Sequence, residues 1–226
     1  MISFMTKELR KAIEIILSQI QNPKKVLEVG SRSAINQEDI CNLRPLLVQS
    51  QYLGVDMQKG PGVDLVADAT QLPFPDQSFD LVMCFETLEH ADNPWKIVAE
   101  IERVCKKNGI IILSSQQNFP LHMHPSDYFR YTPYGLSSLL KSKSSKLVLG
   151  ISPPFDHEVE LNPKHVMAVA WNGTALNKAK LKKVLKQNEV KISGHKPYRH
   201  RIQDAWKIFK RALAELYFRH EIRFFE

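Results

Sequence analysis

Cysteine is scarce: Cys41, Cys84 and Cys105 are the only three in 226 residues. They are odd in number and far apart, so neither a disulfide framework nor a cysteine-rich metal site follows. A reducing cytoplasm suits them best. No run of about eighteen apolar residues occurs, which argues against a membrane span. The first stretch, Met1 to Gln21, lacks the basic start, apolar block and small-residue cleavage site of a signal peptide. No internal repeat and no nucleic-acid-binding module is visible. The segment from Gly30 to Ile35 lacks G-x-G-x-x-G spacing, and no G-x-x-x-x-G-K-[ST] occurs anywhere. A cradle for pyrophosphate or triphosphate is therefore excluded on pattern.

Apolar residues make up 43% of the chain, enough for a full core, and the length suits one α/β domain with modest additions. The net charge of +7 is uneven. Through Ala175 there are 17 Lys and Arg against 19 Asp and Glu; from Leu176 onward there are 14 against 5. The expected organisation is a catalytic domain over 1–175 and a basic helical extension over 176–226, packed on the core or on a second subunit. Such an extension suits an anionic partner, nucleic acid or a lipid surface, or simply presents a solvated face.

The pattern of apolar residues alternates between helix and strand. Ile13, Ile16, Leu17 and Ile20 predict a helix from about Thr6 to Ile20. Strands are predicted at Lys25–Gly30, Tyr52–Asp56, Val63–Ala67, Phe79–Cys84 and Ile110–Leu113. Helices are predicted from Ile40 to Val48, with Pro45 disturbing its last turns, and from Pro94 to Cys105. Asn108-Gly109 predicts a turn that closes the second of these. Continuous apolar strands between helices imply a mostly parallel sheet covered on both faces. Beyond Ser114, residues Ser115 to Tyr131 read as a long functional loop. A helix follows at Tyr134–Lys141, then late strands at Lys146–Ile151 and His165–Trp171. A basic helix is predicted at Leu176–Asn188 and a last one from about Arg201 to Glu226.

A parallel α/β sheet binds ligands beyond the carboxyl ends of its strands. The first strand ends in Glu28-Val29-Gly30-Ser31, where glycine allows close backbone approach. The second ends in Asp56, placed to accept two ribose hydroxyls. The third is followed by Asp68-Ala69-Thr70, an acceptor for an exocyclic amine. Acidic tips in this order suit a nucleoside that carries an amino-acid cation and no phosphate.

These residues also carry a resemblance. Val26-Leu27-Glu28-Val29-Gly30, Tyr52-Leu53-Gly54-Val55-Asp56-Met57 and Leu72-Pro73-Phe74 with Phe79-Asp80-Leu81-Val82 resemble successive motifs of class I, Rossmann-like methyltransferases that use S-adenosylmethionine. Cys84-Phe85-Glu86-Thr87-Leu88-Glu89-His90 with Asn93-Pro94 is similar to the matching stretch of ubiquinone-pathway O-methyltransferases of type 11. Arg103-Val104-Cys105-Lys106-Lys107-Asn108-Gly109 is similar to their usual turn before the fifth strand. The resemblance implies an α/β three-layer sandwich with a doubly wound, mostly parallel seven-stranded sheet and one antiparallel late strand. It implies S-adenosyl-L-methionine as cofactor, held by Glu28, Gly30, Ser31, Asp56, Met57, Asp68, Ala69, Phe85 and Glu86. Glu28 and Gly30 would lie near its methionine and ribose portions, Met57 on adenine, and Phe85 and Glu86 beside the sulfonium. The chain departs from the family at Arg32 and Ala34, where glycines are usual; Arg32 would face the cofactor carboxylate or the substrate.

Glu86, Glu89 and His90 fall at i, i+3 and i+4 and would share a face if helical. Two carboxylates and an imidazole suit a hard divalent cation; the pattern resembles that of metal-assisted ubiquinone-pathway and small-RNA 2′-O-methyltransferases, and for the later histidine of the small-RNA enzymes His122 or His124 would stand in. Many relatives carry the same residues without a known metal, and none is expected here. His90 and His124 are the candidate bases for an alcohol acceptor, with His122 beside them. Asp127 and Arg130 would pair to shape the long loop, and Tyr128, Phe129 and Tyr131 would form an apolar lid. The expected activity is methyl transfer to an oxygen of a small molecule or glycan, in the cytoplasm, with a homodimer formed through the last helix. Methylation of RNA through the basic tail is one alternative. A non-catalytic scaffold is the other.

Overall fold

The computed structural model describes residues 5–34, 36–122, 125–151 and 163–192. All lie in Met1–Ser193, the first of two units into which the chain divides. His124 and the expected helix from Arg201 to Glu226 lie outside the described residues.

A first helix, α1 (Lys7–Leu17), precedes β1 (Lys25–Val29), a short α2 (Glu38–Cys41), β2 (Gln51–Asp56), β3 (Leu65–Val66) and β4 (Phe79–Cys84). Then come α3 (Pro94–Val104), β5 (Cys105–Gln116), α4 (Pro133–Leu139), β6 (Ser145–Ile151), β7 (His165–Trp171) and α5 (Lys178–Ile192). The strands form one seven-stranded sheet in the order β3-β2-β1-β4-β5-β7-β6. β1 to β5 pair in parallel, whereas β7 runs antiparallel to both β5 and β6. The expected single antiparallel late strand is therefore β7. Among the described residues no helix is long and apolar enough to cross a membrane.

Alternation along the strands divides the core into two layers. Leu27, Val29, Val82, Cys84, Ile111 and Leu113 face α3, which contributes Ile97, Val98, Ile101 and Val104. Val26, Leu81, Met83, Ile110 and Ile112 face α1, which contributes Leu9, Ile13 and Ile16, with Leu181 of α5. Each such buried aliphatic side chain contributes about 1.5–3 kcal/mol. α1 starts where Thr6 caps it, its side chain accepting from the Leu9 amide at 3.2 Å. Asn93 does the same for α3, with Pro94 in the first turn.

Three expectations need correction. The helix expected over Ile40–Val48 is α2 followed by a 3₁₀ turn at Arg44–Leu46, because Pro45 cannot donate to a continuing helix. The third strand shrinks to Leu65–Val66; Asp64 instead accepts from the Gly54 amide at 2.7 Å and pairs with Arg44. Asn108-Gly109 is not a turn between helix and strand. α3 passes directly into β5 at Cys105, and the ladder then jumps from Phe79–Cys105 to Leu81–Ile110, leaving Lys106 to Gly109 as a bulge. Gly109 sits there because a side chain would meet the Asp80 carbonyl at 2.9 Å.

Candidate active site

The carboxyl ends of β1 to β5 lie at one edge of the sheet. Because β7 is antiparallel, its first residue, His165, arrives at the same edge and pairs with Gln116, the last residue of β5. A cleft of about 690 Å³ opens instead beside Lys24, Asp80, Lys106 and Lys180, at the amino ends of the strands. Its lining offers ordinary surface lysines and amides, and the buried polar chemistry lies at the carboxyl edge.

At the β1 tip, Gly30 takes φ +76°, and a Cβ there would collide with the Thr87 side chain. Glycine is thus required both by the left-handed turn and by the approach of the β4 loop. The Gly30 and Ser31 amides both donate to the Val55 carbonyl. Asp56, at the β2 tip, is 3% exposed and accepts from the Gln58 amide at 2.9 Å. Met57 beside it is 57% exposed. Asp68 is exposed and accepts from the Thr70 amide, a bond that holds its carboxyl below the usual range. Ala69 packs inward against the core.

Glu28 and Phe85 take other surroundings. Both side chains lie on the α1 side, Phe85 within the apolar layer. Glu28 accepts from the Tyr52 hydroxyl at 2.5 Å, and burial pushes its carboxyl up to about 7 despite Arg44 and Arg10 nearby. Arg32 donates to Gln58 at 2.7 Å, so it ties the β1 loop to the β2 loop.

Glu86 and Glu89 do not share a helical face. Glu86 has φ +45°, outside the 3₁₀ turn Leu88–His90, and this kink sends the two carboxylates to opposite sides of β5. On the α1 side, Glu86 Oε1 accepts from the Ser114 hydroxyl at 2.7 Å and Oε2 lies 2.9 Å from His165 Nδ1. On the α3 side, Glu89 Oε2 accepts from Ser115 at 2.6 Å, and Oε1 has no partner among the described residues. Burial, and then the charge of Glu86, pushes the Glu89 carboxyl well above its ordinary range. His90 Nδ1 lies 2.6 Å from the Ser126 carbonyl, so that nitrogen carries the proton and Nε2 keeps its lone pair. Burial pushes His90 down from its ordinary value.

Ligand atoms of Glu89, His90 and His122 lie within 4.8 Å of one another. This set, and not Glu86 with Glu89 and His90, could hold a metal ion. The His122 amide donates to Asp127, and Arg130 grips both Asp127 oxygens at 2.6 and 2.7 Å. Arg130 also donates to the Phe119 and Pro120 carbonyls and shapes the loop. Burial opposes ionisation of Asp127, but the Arg130 and His122 hydrogen bonds bring it down to about 2. Tyr131 is buried, Phe129 packs edge-on to Trp95, and Tyr128 reaches solvent.

The sequence alone did not bring out Ser114, Ser115, Gln116 or His165. The available signal was a polar run, Ser114 to Gln117, ending an apolar strand.

Residues 27–113 match a family described as a methyltransferase domain. This stretch, under half of the chain, is similar to methyltransferase domains. The chain is 28% identical over 127 residues to a demethylmenaquinone methyltransferase of Renibacterium salmoninarum, covering 54% of each chain. A 27-O-demethylrifamycin SV methyltransferase of Amycolatopsis mediterranei is 40% identical over 47 residues, 21% of this chain and 17% of that one. The match thus spans about half the length of the first curated relative and less of the second. Among solved structures, an S-adenosylmethionine-dependent methyltransferase of Archaeoglobus fulgidus aligns with TM-score 0.55 at 15% identity, over 72% of this chain and 94% of that one. A 1,6-didemethyltoxoflavin N1-methyltransferase of Burkholderia thailandensis, with S-adenosylhomocysteine bound, aligns with TM-score 0.53 at 15% identity, over 74% and 79%. These likenesses establish the fold, and S-adenosylmethionine is the cofactor of the domain class.

The donor set of the methyltransferase domain fits that cofactor. Carboxylates stand at the β2 and β3 tips, where ribose hydroxyls and an amine need acceptors, and Met57 offers an apolar surface beside them. Asp56, Asp68 and Met57 would hold the nucleoside, and the Gly30–Ser31 turn would border it.

Proposed function

We propose that the chain is an S-adenosylmethionine-dependent methyltransferase that moves a methyl group to an oxygen of a small molecule or glycan. The observation that carries this reading is the placing of Asp56 and Asp68 at adjacent strand tips, on the same edge as an enclosed polar cluster at the end of β5. The cofactor supplies an electrophilic methyl group. The protein aligns an acceptor with it, and alignment supplies much of the rate. The enclosed Glu86, Ser114, Gln116 and His165 suit a polar acceptor group desolvated before reaction. The relative named for a 27-O-demethyl substrate supports oxygen as the target.

Calorimetry with S-adenosylmethionine tests the first half. Asp56→Ala should weaken binding by roughly 30-fold, the loss of a charge-assisted hydrogen-bonding site worth on the order of 2 kcal/mol. An unchanged affinity in that variant refutes the assignment. Tritiated donor offered with phenols, sugars and short RNA tests the second half, and label in RNA alone would overturn the small-molecule reading.

A further inference from the structure

We propose that His165, oriented by Glu86, is the base that takes the acceptor's proton, with Gln116 holding the acceptor beside it. This rests on the methyltransferase reading above. His165 opens β7 and is 1% exposed; its Nδ1 lies 2.9 Å from Glu86 Oε2, and its Nε2 has no partner among the described residues. Gln116 pairs with it across the ladder, so both side chains project from the same face of the sheet. The Gln116 amide is 0% exposed, and neither its oxygen nor its nitrogen has a partner among the described residues. A buried amide and a buried imidazole nitrogen left unpaired are costly, and such groups recur where a ligand satisfies them.

The rival histidines are less suited to hold a proton. An imidazolium formed inside a protein is stable only with a compensating charge behind it. His90 Nδ1 faces a neutral carbonyl, that of Ser126, with the Glu89 and Asp127 carboxyls near the ring but not hydrogen-bonded to it as Glu86 is to His165. Behind His122 stands Asp127, whose charge already serves Arg130. Behind His165 stands Glu86, which accepts from neutral Ser114 and pairs with no Lys or Arg among the described residues. In the step, the acceptor O–H bond breaks and its proton goes to the Nε2 lone pair. The electron pair stays on oxygen and forms the new bond to the methyl carbon, while the carbon–sulfur pair leaves with sulfur. Glu86 is a positioning residue: it fixes the Nδ1–H tautomer and offsets the new charge.

Two measurements on the full chain test the assignment. In ¹⁵N-histidine-labelled protein, His165 should be protonated on Nδ1, with Nε2 showing the shift of an unprotonated ring nitrogen. An Nε2-protonated ring would overturn the proposal. The second uses 4-nitrophenol, whose phenolate absorbs visible light, added to protein saturated with S-adenosylhomocysteine. Wild type should ionise the bound probe about tenfold more than His165→Asn or His165→Gln at the same pH. Equal ionisation in all three overturns the base. Both variants should bind S-adenosylhomocysteine within about threefold of wild type, as expected for a group outside the cofactor contacts. Failure of wild type to bind it at all removes the parent reading instead, and the tautomer measurement tells the two failures apart.

Discussion

Two glutamates three residues apart, Glu86 and Glu89, end up on opposite sides of one strand with different company. Glu86 meets a histidine ring and a serine hydroxyl, and both of its oxygens are engaged. Glu89 meets a serine hydroxyl with one oxygen, has no partner for the other among the described residues, and lies near His90 and His122. The first arrangement orients a ring and balances a proton. The second gathers lone pairs, which is what a cation requires. Neighbouring residues of one type thus acquire separate chemistry from a single backbone kink.

The sharpest break between the two sides comes from paired amide substitutions. Glu86→Gln should lower methyl transfer roughly a thousandfold, because the amide can donate to Nδ1 and favour the wrong tautomer. Glu89→Gln should cost less than about tenfold if general-base chemistry lies on the α1 side. Radiolabel incorporation into the acceptor found by the panel measures both, and equal losses would erase the distinction.

A third acid, Glu28, sharpens the contrast, since its hydrogen-bonding partner is a neutral phenol. Its carboxyl rises from 4.5 to about 7 on folding, so between those values the folded state holds the proton more tightly than the unfolded chain. Stability therefore falls as pH rises through that window, by an amount on the order of 3 kcal/mol, and is flat above it. Urea midpoints at pH 5 and 7.5 should differ in wild type and converge in Glu28→Gln. The smallest effect concerns the loop over the α3-side cluster. Arg130→Ala should cost about 1–3 kcal/mol and speed amide exchange at Phe119, Leu121, His122 and Ser126 to Phe129, with little change at Ser114 or His165.

Much of the fold was legible in the sequence. The runs Val26–Val29 and Phe79–Cys84 are apolar throughout, because both faces of a central strand are covered. Asp56 and Asp68 could be placed at strand tips by order alone. The bulge at Lys106–Gly109 could not, since Asn-Gly signals a turn equally well in either setting. The shared face of Glu86, Glu89 and His90 depends on a helix there, and spacing alone does not signal the left-handed, non-glycine backbone at Glu86 that breaks it. His165 escaped notice because its carboxylate partner lies 79 residues earlier in the chain, and only the sheet order joins them.

The reversed direction of β7 has a practical outcome. Residues that would grip the donor come from the first half of the chain, whereas the ring nitrogen facing the acceptor enters from the beginning of a late strand. The two inventories share no segment except the turn at Glu86. Donor choice and acceptor choice can then diverge separately, and grafting a new stretch onto the head of β7 is the natural place to retarget such a scaffold.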